Sequence, residues 1–324
     1  MQEILEISDL ETRFNTEFGI LKAVNRVDLR VHEKETLGIV GESGSGKTVL
    51  ALSIMRLVPC PPGEIVSGKI LYGGVDLLQI SETEMRRIRG NEISMIFQEP
   101  MTSLNPVFKV GEQIAEVIRL HQKVSSKEAI NRAIEVLRMV GMPSPEITIH
   151  RYPHQMSGGM RQRVMIAIAM SCKPRLMLAD EPTTALDVTI QAQIIELIGT
   201  MKEQLGTAVV LITHDLGVIA DTAHHVAVMY AGKIVEYAPV SEMFLNPLHP
   251  YTVGLLESTP KAVERSKRDE CLKAIPGNIP DMYHLPQGCS FQDRCPQVMV
   301  QCRNTEPEYL EKSPDWYVRC WLHA

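Results

Sequence analysis

The sequence comprises 324 residues with 39 acidic and 33 basic side chains, which gives a formal net charge of −6, and 44% of the residues are hydrophobic. This composition excludes a disordered chain, and the length predicts two domains, or one large domain with an appendage. A mildly acidic chain is also a poor fit to a general nucleic-acid binder. Because the amino terminus lacks a basic region and no apolar run is long enough for a membrane span, we expect a cytosolic location.

Short runs rich in β-branched residues alternate with turns early in the chain, and they predict strands at residues 4–7, 26–31, 36–40 and 69–71. The period becomes helical from Gly111. Ser125 and Glu128 predict a capping box, and the helix that they open ends before Gly141. Next come a predicted helix, a buried strand at 176–179, a second helix and a strand at 208–213. Strands that alternate with helices indicate a parallel sheet covered on both faces.

The last part of the chain has a different pattern. Beyond Asn246, prolines recur every few residues and no long hydrophobic period persists. This predicts an irregular carboxy-terminal appendage. Four of the seven cysteines crowd its second half: Cys289, Cys295, Cys302 and Cys320.

The residues from Gly41 to Thr48 read Gly-Glu-Ser-Gly-Ser-Gly-Lys-Thr, and they stand between a predicted strand and a predicted helix. This is the context of a phosphate-binding loop, because glycines let backbone N–H groups close around phosphate oxygens. Lys47 would reach the β- and γ-phosphates, and the Thr48 hydroxyl would ligate Mg²⁺. The alternative is a glycine turn that only joins strand to helix, and the complete pattern argues against it. The predicted nucleotide-binding residues here are Gly41, Ser43, Gly44, Ser45, Gly46, Lys47 and Thr48.

Two further segments fit phosphate chemistry. The apolar strand at 176–179 is followed by Asp180 and Glu181. A carboxylate at a strand's end can orient magnesium, which suits Asp180, and a second one can polarise the attacking water, which suits Glu181. Ser157, Gly158 and Gly159 open another predicted helix and could cradle an anion, although most such tripeptides are plain turns.

In the order of these elements the chain resembles the ATP-binding cassette family. Gly41–Thr48 is similar to its Walker A loop, Gln98 is similar to its Q-loop glutamine, and Ser157-Gly158-Gly159 is similar to its signature. Asp180-Glu181 is similar to Walker B with the catalytic glutamate, Ala185-Leu186-Asp187 is similar to the D-loop, and His214 is similar to the switch histidine. Met160 replaces the glutamine that is common in the signature. The resemblance implies catalytic roles for Glu181, His214 and Gln98, and Mg²⁺ binding by Thr48, Gln98 and Asp180. It also implies nucleotide contacts for Asp187 and an aromatic that stacks on adenine. For that aromatic we choose Phe14, with Phe18 second and a core role as the alternative.

The resemblance also implies a fold and an assembly. The fold is an α/β P-loop NTPase (ABC ATPase) core with an amino-terminal antiparallel β subdomain, an inserted α-helical subdomain and an irregular Cys-rich carboxy-terminal appendage. The expected bounds are 1–97 and 166–245 for the core, 98–165 for the helical subdomain and 246–324 for the appendage. A second ATP-binding subunit, in a heterodimer or a homodimer, would close with this one around two Mg-ATP molecules.

Longer phrases resemble the dipeptide/oligopeptide importer branch of the family: 40–47, 97–106, 249–252, and 275–277 with 288–289. This implies the motor of a peptide importer at the cytoplasmic face of the membrane, with two transmembrane permease subunits, an extracytoplasmic peptide-binding protein and no nucleic acid. Nickel, murein-peptide and some sugar importers have similar ATPase subunits, so they remain alternative functions. A DNA-repair ATPase would need a coiled-coil or zinc insertion, and a ribosome-recycling protein would need two cassettes. A non-hydrolysing cassette is disfavoured because Glu181 and His214 are both present.

The four crowded cysteines are spaced Cys289-x5-Cys295-x6-Cys302-x17-Cys320. Together they indicate a metal site in a segment with too little apolar periodicity to pack unaided. The short Cys-x-x-Cys knuckles of zinc sites are absent, whereas longer spacings suit a [4Fe–4S] cluster, and Cys295-Pro296 resembles the cysteine–proline step of ferredoxin motifs. Zn²⁺ is the alternative, and unlinked thiols or air-formed disulfides are a third possibility. The importer branch shares this cysteine set, which favours a structural use.

Overall fold

The computed structural model describes residues 2–99, 103–184, 186–259 and 274–324. Ala185 of the expected D-loop and residues 100–102 of the 97–106 phrase lie outside the described residues. In chain order the strands are β1 (Glu3–Thr16), β2 (Gly19–His32), β3 (Thr36–Val40), β4 (Gly63–Tyr72), β5 (Val75–Asp76), β6 (Ile93–Ile96), β7 (Leu176–Asp180), β8 (Ala208–Ile212), β9 (His225–Tyr230), β10 (Lys233–Pro239), β11 (Leu310–Ser313) and β12 (Trp316–Val318).

The helices are α1 (Lys47–Ile54), α2 (Glu82–Ile88), α3 (Val110–Gln122), α4 (Ser126–Met139), α5 (Pro145–Thr148), α6 (Gly158–Met170), α7 (Val188–Leu205), α8 (Leu216–Thr222), α9 (Val240–Leu245), α10 (Pro250–Glu257) and α11 (Val300–Asn304). Within the described ranges, none of these helices combines the length and the apolar character needed to cross a bilayer.

The chain divides into two compact units. The first takes up Met1–Leu5, Val31–Thr36 and Tyr72–Ile212, and the second takes up Glu6–Arg30, Leu37–Leu71 and Thr213–Ala324. Both are discontinuous in sequence, so that each contains segments from distant parts of the chain.

In the first unit, β6, β7 and β8 pair in parallel in that order. All residues of these strands are buried, which explains their continuous apolar sequences. Helix α6 packs against α3, α4, α7 and β6. Since parallel strands end at the same edge of a sheet, the residues that follow β6 and β7 are brought side by side there.

In the second unit, β3 pairs in parallel with β9, β9 with β10 antiparallel, and β12 antiparallel with both β10 and β11. The strands β2, β1 and β4 are neighbours in a separate sheet. The wholly buried Glu236 of β10 accepts hydrogen bonds from the backbone N–H groups of Leu248 (2.9 Å) and His249 (2.8 Å) and from the Trp316 indole (3.3 Å). This satisfied carboxylate fastens the start of α10 and strand β12 to β10.

The predicted strands are confirmed, and β3 has the predicted bounds, whereas β1 and β2 extend well beyond the runs expected. Ser125 caps α4 by accepting from the Glu128 N–H (3.2 Å), but the Glu128 carboxylate accepts from Arg132 (2.9 Å), so the capping box is only half as predicted. The sequence did not predict the β11–β12 hairpin of the appendage. Its strands are short and mostly exposed, so they carry little hydrophobic pattern.

Candidate functional site

The loop from Gly41 to Gly46 connects β3 to α1 in the second unit, and its shape requires glycine at both ends. Gly41 (φ 153°) and Gly46 (φ 106°) have backbone conformations that favour glycine. A Cβ on Gly41 would lie 2.1 Å from the Met229 carbonyl oxygen, and one on Gly46 would lie 2.1 Å from that of Ala23. Any side chain at either position would therefore displace the loop from the strands that support it.

Lys47 is buried at the start of α1, and its ammonium group donates to the carbonyl oxygens of Gly41 (2.8 Å) and Glu42 (2.9 Å) and to the Ser45 hydroxyl (3.3 Å). Ser43, Gly44 and Thr48 are exposed. Because the first N–H groups of α1 have no partner within the helix, the loop presents backbone donors, a helix amino terminus and a cation together. This arrangement can bind a polyphosphate.

The structure also brings His214 to this loop. His214 and Asp215 line a pocket of about 450 Å³ together with Gly41 and Glu42. Asp215 caps α8 by accepting from the N–H groups of Gly217 (2.9 Å) and Val218 (3.2 Å), which fixes the turn that carries His214. Among the other lining residues, sequence reasoning missed Leu255, Ser258 and Thr259, because they come from the end of helix α10 and the residues just after it, far from the loop in the chain.

In the first unit, Asp180 and Glu181 lie at the carboxyl end of β7. Asp180 is 1% exposed. Glu181 has a left-handed backbone conformation (φ 45°), and its Oε2 accepts hydrogen bonds from the Gln98 amide (3.2 Å) and the Thr184 hydroxyl (2.8 Å). Two predicted catalytic residues, Gln98 and Glu181, are thus in contact. Thr184 was not predicted, although its position three residues after Glu181 in the same turn could have indicated it.

The signature residues lie at the amino terminus of α6. The Ser157 hydroxyl accepts from the Met160 N–H (3.3 Å) and caps the helix. A Cβ on Gly159 would lie 3.0 Å from Ile190, and one on Gly158 would lie 3.5 Å from Leu186. The glycines therefore allow the start of α7 to approach closely. Asp187 caps α7 by accepting from the Ile190 N–H (3.0 Å), so its side chain has a structural bond in addition to its expected role.

The two candidate adenine-stacking aromatics have different surroundings. Phe14 on β1 is half-buried, and its ring edge lies 2.9 Å from the position that a Cβ on Gly63 would take. Phe18 lies in the turn between β1 and β2 and is 74% exposed.

The four cysteines of the appendage, Cys289, Cys295, Cys302 and Cys320, line one small pocket in the second unit. Backbone N–H groups donate to three of the sulfurs, each from the residue two positions later in the chain: Phe291 to Cys289, Gln297 to Cys295 and Leu322 to Cys320. The fourth cysteine, Cys302, is held through its backbone, since its carbonyl oxygen accepts a hydrogen bond from the Cys289 N–H (2.8 Å).

Burial raises the pKa of the Cys289 thiol to about 12 and that of Cys320 to about 11. N–H donors directed at sulfur stabilise negative charge on it, so they oppose this effect of burial. The pocket therefore gathers four thiols that can lose their protons to a bound metal.

Comparisons with known proteins fit this geometry. The family model described as ABC transporter matches residues 24–184, and the model for the oligopeptide/dipeptide transporter C-terminal region matches residues 235–302. The probable peptide ABC transporter ATP-binding protein y4tR of Sinorhizobium fredii is 51% identical over 318 residues, covering 98% of this chain and 94% of the relative. The oligopeptide transport ATP-binding protein OppD of Bacillus subtilis is 51% identical over 319 residues, covering 98% of this chain and 88% of the relative.

Among solved structures, the dimeric post-hydrolysis state of the ATP-binding cassette MJ0796, bound to ADP and Pi, matches with a TM-score of 0.66 at 26% identity, and the match covers 73% of this chain and 98% of that one. The chain belongs to the ATP-binding cassette family of transporters, and it is an ATPase of that family. Within the family, it carries the carboxy-terminal region of the oligopeptide/dipeptide branch.

Proposed function

We propose that this chain is the ATP-hydrolysing motor subunit of a membrane importer for dipeptides or oligopeptides. The observation that carries the proposal is the combination, in one chain, of a complete phosphate loop with the carboxy-terminal region of peptide transporters at residues 235–302. The names of the similar proteins from Sinorhizobium fredii and Bacillus subtilis support the peptide substrate.

In this proposal the loop from Gly41 to Thr48 binds the phosphates of ATP, and Lys47 moves its ammonium group from the loop carbonyls to the β- and γ-phosphates. Thr48, Asp180 and Gln98 would hold Mg²⁺, which supplies charge neutralisation at the phosphate oxygens. Hydroxyl, carboxylate and amide oxygens are the hard ligands that this ion prefers, so the donor set fits. Phe14 would stack on the adenine, with Phe18 as the alternative.

Glu181 is the proposed general base. Its hydrogen bonds from Gln98 and Thr184 orient the carboxylate, which would take a proton from the attacking water. His214, held by the capped turn before α8, would hold the γ-phosphate in the pocket that it shares with the loop. Gln98 would report the nucleotide state from the core to the helical subdomain at 98–165.

The signature residues Ser157, Gly158 and Gly159, with Asp187, are proposed to contact the nucleotide of a facing ATP-binding subunit. The dimeric state of the similar cassette MJ0796 supports this role. We propose that two permease subunits hold the ATPase pair at the cytoplasmic face of the membrane, and that an extracytoplasmic binding protein delivers the peptide.

For the four-cysteine pocket we propose a [4Fe–4S] cluster that fixes the appendage. Four thiolates at about 2.3 Å from one Zn²⁺ would lie about 3.8 Å from one another. A cube of irons and sulfides holds its thiolates farther apart than a single ion does, and the long sequence spacings between the four cysteines favour the cluster over zinc. The three N–H donors to sulfur support it as well.

Transport of peptides can be tested in proteoliposomes that contain the complete importer, identified from genes adjacent to this one that encode permeases and a binding protein. We expect ATP-dependent uptake of labelled peptides, which Glu181→Gln abolishes. Uptake of nickel or sugar with no uptake of peptide would overturn the peptide assignment.

The cluster can be tested separately on anaerobically purified protein. We expect a brown protein with broad absorbance near about 400 nm and roughly four irons per chain, and each Cys→Ser change should bleach it. Folded, metal-free and active protein would contradict the cluster, and one zinc per chain would favour the alternative.

A further inference from the structure

The appendage is bound to the phosphate loop by an ion pair between Arg294 and Glu42. The Arg294 guanidinium donates through Nη1 to Oε2 of Glu42 (2.7 Å) and through Nη2 to Oε1 (2.9 Å). Two parallel hydrogen bonds of this kind fix both the distance and the orientation of the carboxylate. The Arg294 side chain is 5% exposed and that of Glu42 is 27% exposed, so solvent screens the pair less than it would at the surface.

Arg294 is itself held on its other sides. Its Nε donates to the Pro276 carbonyl oxygen (3.0 Å), and Nη1 also donates to the Tyr230 hydroxyl (3.4 Å). The guanidinium lies 5.8 Å from the ring centre of Tyr230 and 5.9 Å from that of Phe291. The hydrogen bonds to Glu42 raise the pKa of the guanidinium above its usual value. These contacts hold the Arg294 guanidinium in one position beside the phosphate loop.

Glu42 is the second residue of the phosphate loop, and each of its polar groups has a partner. The appendage supplies two of these partners, since Arg294 binds the carboxylate and the Tyr251 hydroxyl accepts from the Glu42 N–H (2.9 Å). The loop supplies the others, since the Lys47 ammonium (2.9 Å) and the Ser45 backbone N–H (3.2 Å) both donate to the Glu42 carbonyl oxygen. Arg294 and Tyr251 thus fix the backbone of the loop at Glu42, which also supplies one of the oxygen acceptors of Lys47.

We propose that Arg294 is a positioning residue for nucleotide binding, by which the cysteine-bearing appendage sets the affinity of the phosphate loop for Mg-ATP. A loop held in its binding conformation loses less entropy when the ligand binds, so it binds more tightly than a loop that must first be ordered. Arg294 directly precedes Cys295 and lies three residues after Phe291. A cysteine segment held in one conformation therefore holds the Arg294 side chain, and through it the loop, in place. The inference rests on the proposed role of the loop in binding ATP.

The test is the Kd of full-length, anaerobically purified protein for a fluorescent ATP analogue with Mg²⁺. Arg294→Met keeps an unbranched apolar stem and removes the guanidinium and its ion pair, and we expect it to raise Kd about tenfold or more. Arg294→Lys keeps the charge without the fork and should give an intermediate Kd. Glu42→Gln should weaken binding in the same direction, and the double variant Glu42→Gln, Arg294→Met should be no weaker than the worse single variant. The rate at saturating ATP should change less than Kd does.

Arg319→Met is the matched control, since Arg319 also precedes a cysteine and lies over a tyrosine ring, 5.1 Å from the centre of Tyr309. Its ionic partner is Glu306 (3.8 Å), which is not part of the loop. We expect this variant to bind Mg-ATP like the unmodified protein. The inference is overturned if Arg294→Met binds as tightly as this control.

A second measurement is independent of whether Arg294→Met folds. Because coupling is reciprocal, Mg-ATP should slow hydrogen exchange at the Arg294 amide, which donates to the Phe291 carbonyl oxygen (3.0 Å), in the unmodified protein and not in Glu42→Gln. Unchanged exchange in both would also overturn the inference. Unmodified protein that fails to bind Mg-ATP at all would contradict the proposed function instead.

Discussion

Replacing Glu181 with glutamine removes a negative charge and keeps the size of the side chain. A glutamine carbonyl oxygen can accept the same two hydrogen bonds, from the Gln98 amide and the Thr184 hydroxyl, that Oε2 accepts in the structure. The left-handed backbone at this position (φ 45°) is unchanged by the substitution. We therefore expect Glu181→Gln to fold normally and to bind Mg-ATP as the unmodified protein does.

The expected loss is in the chemical step. A general base contributes about 10²–10⁴ in rate, which at about 1.4 kcal/mol per factor of ten corresponds to a barrier about 3–5 kcal/mol higher. Phosphate release from saturating ATP measures this loss, and Glu196→Gln on the exposed face of α7 is a matched control that should hydrolyse ATP normally. Sedimentation should show that Mg-ATP drives the slow variant into a dimer. Hydrolysis by Glu181→Gln within about tenfold of the parent rate would refute the assignment of the base.

Three further outcomes are expected. Lys47→Ala removes the ammonium group that the loop carbonyls hold. Loss of its charged hydrogen bonds to phosphate should weaken Mg-ATP binding by about tenfold or more in the fluorescence titration. Unchanged binding would contradict the role of Lys47. Gly288→Ala places a Cβ 2.1 Å from the Cys302 carbonyl oxygen and should lower the iron content, whereas Gly199→Ala, with open space around it, should not. Complete burial lowers the pKa of His249 to about 3. Between pH 6.5 and 3 the unfolded chain therefore binds the proton more readily than the folded chain does. The free energy of unfolding should fall as pH falls through this range, by at most about 1.4 kcal/mol per pH unit. Urea unfolding at pH 7, 6 and 5 should show a smaller fall for His249→Asn, and parallel curves would contradict this contribution.

Much of the candidate site was predictable because its chemistry is contiguous in the sequence. The phosphate loop needs glycines, a lysine and a hydroxyl at fixed spacing between a strand and a helix, and β3 and α1 lie where this pattern predicts. Asp180 and Glu181 were indicated by the end of an apolar strand, and Ser157 by the helix that it caps. In each case the residues that specify the local structure are neighbours in the chain.

Which of these segments come into contact depends on the tertiary structure. Gln98 contacts Glu181 because β6 and β7 pair in parallel and end together, and the two residues are 83 positions apart in the chain. His214 shares a pocket with the phosphate loop, and the end of α10 completes that pocket. No sequence period records such contacts, since they depend on how strands pair and not on their individual patterns.

The ion pair between Arg294 and Glu42 is the clearest example of a contact that the sequence does not indicate. In the sequence Arg294 is one basic residue in a proline-rich appendage, and Glu42 is a variable position of the loop pattern. The fold places them 2.7 Å apart across 252 residues of chain. The chemical groups of the phosphate loop, the carboxylates and the cysteines can be identified from the amino-acid sequence alone. The ion pair between the cysteine-bearing segment and the phosphate loop depends instead on the fold, because β3 pairs with β9, and both Tyr230 of β9 and Tyr251 of α10 lie beside the contact.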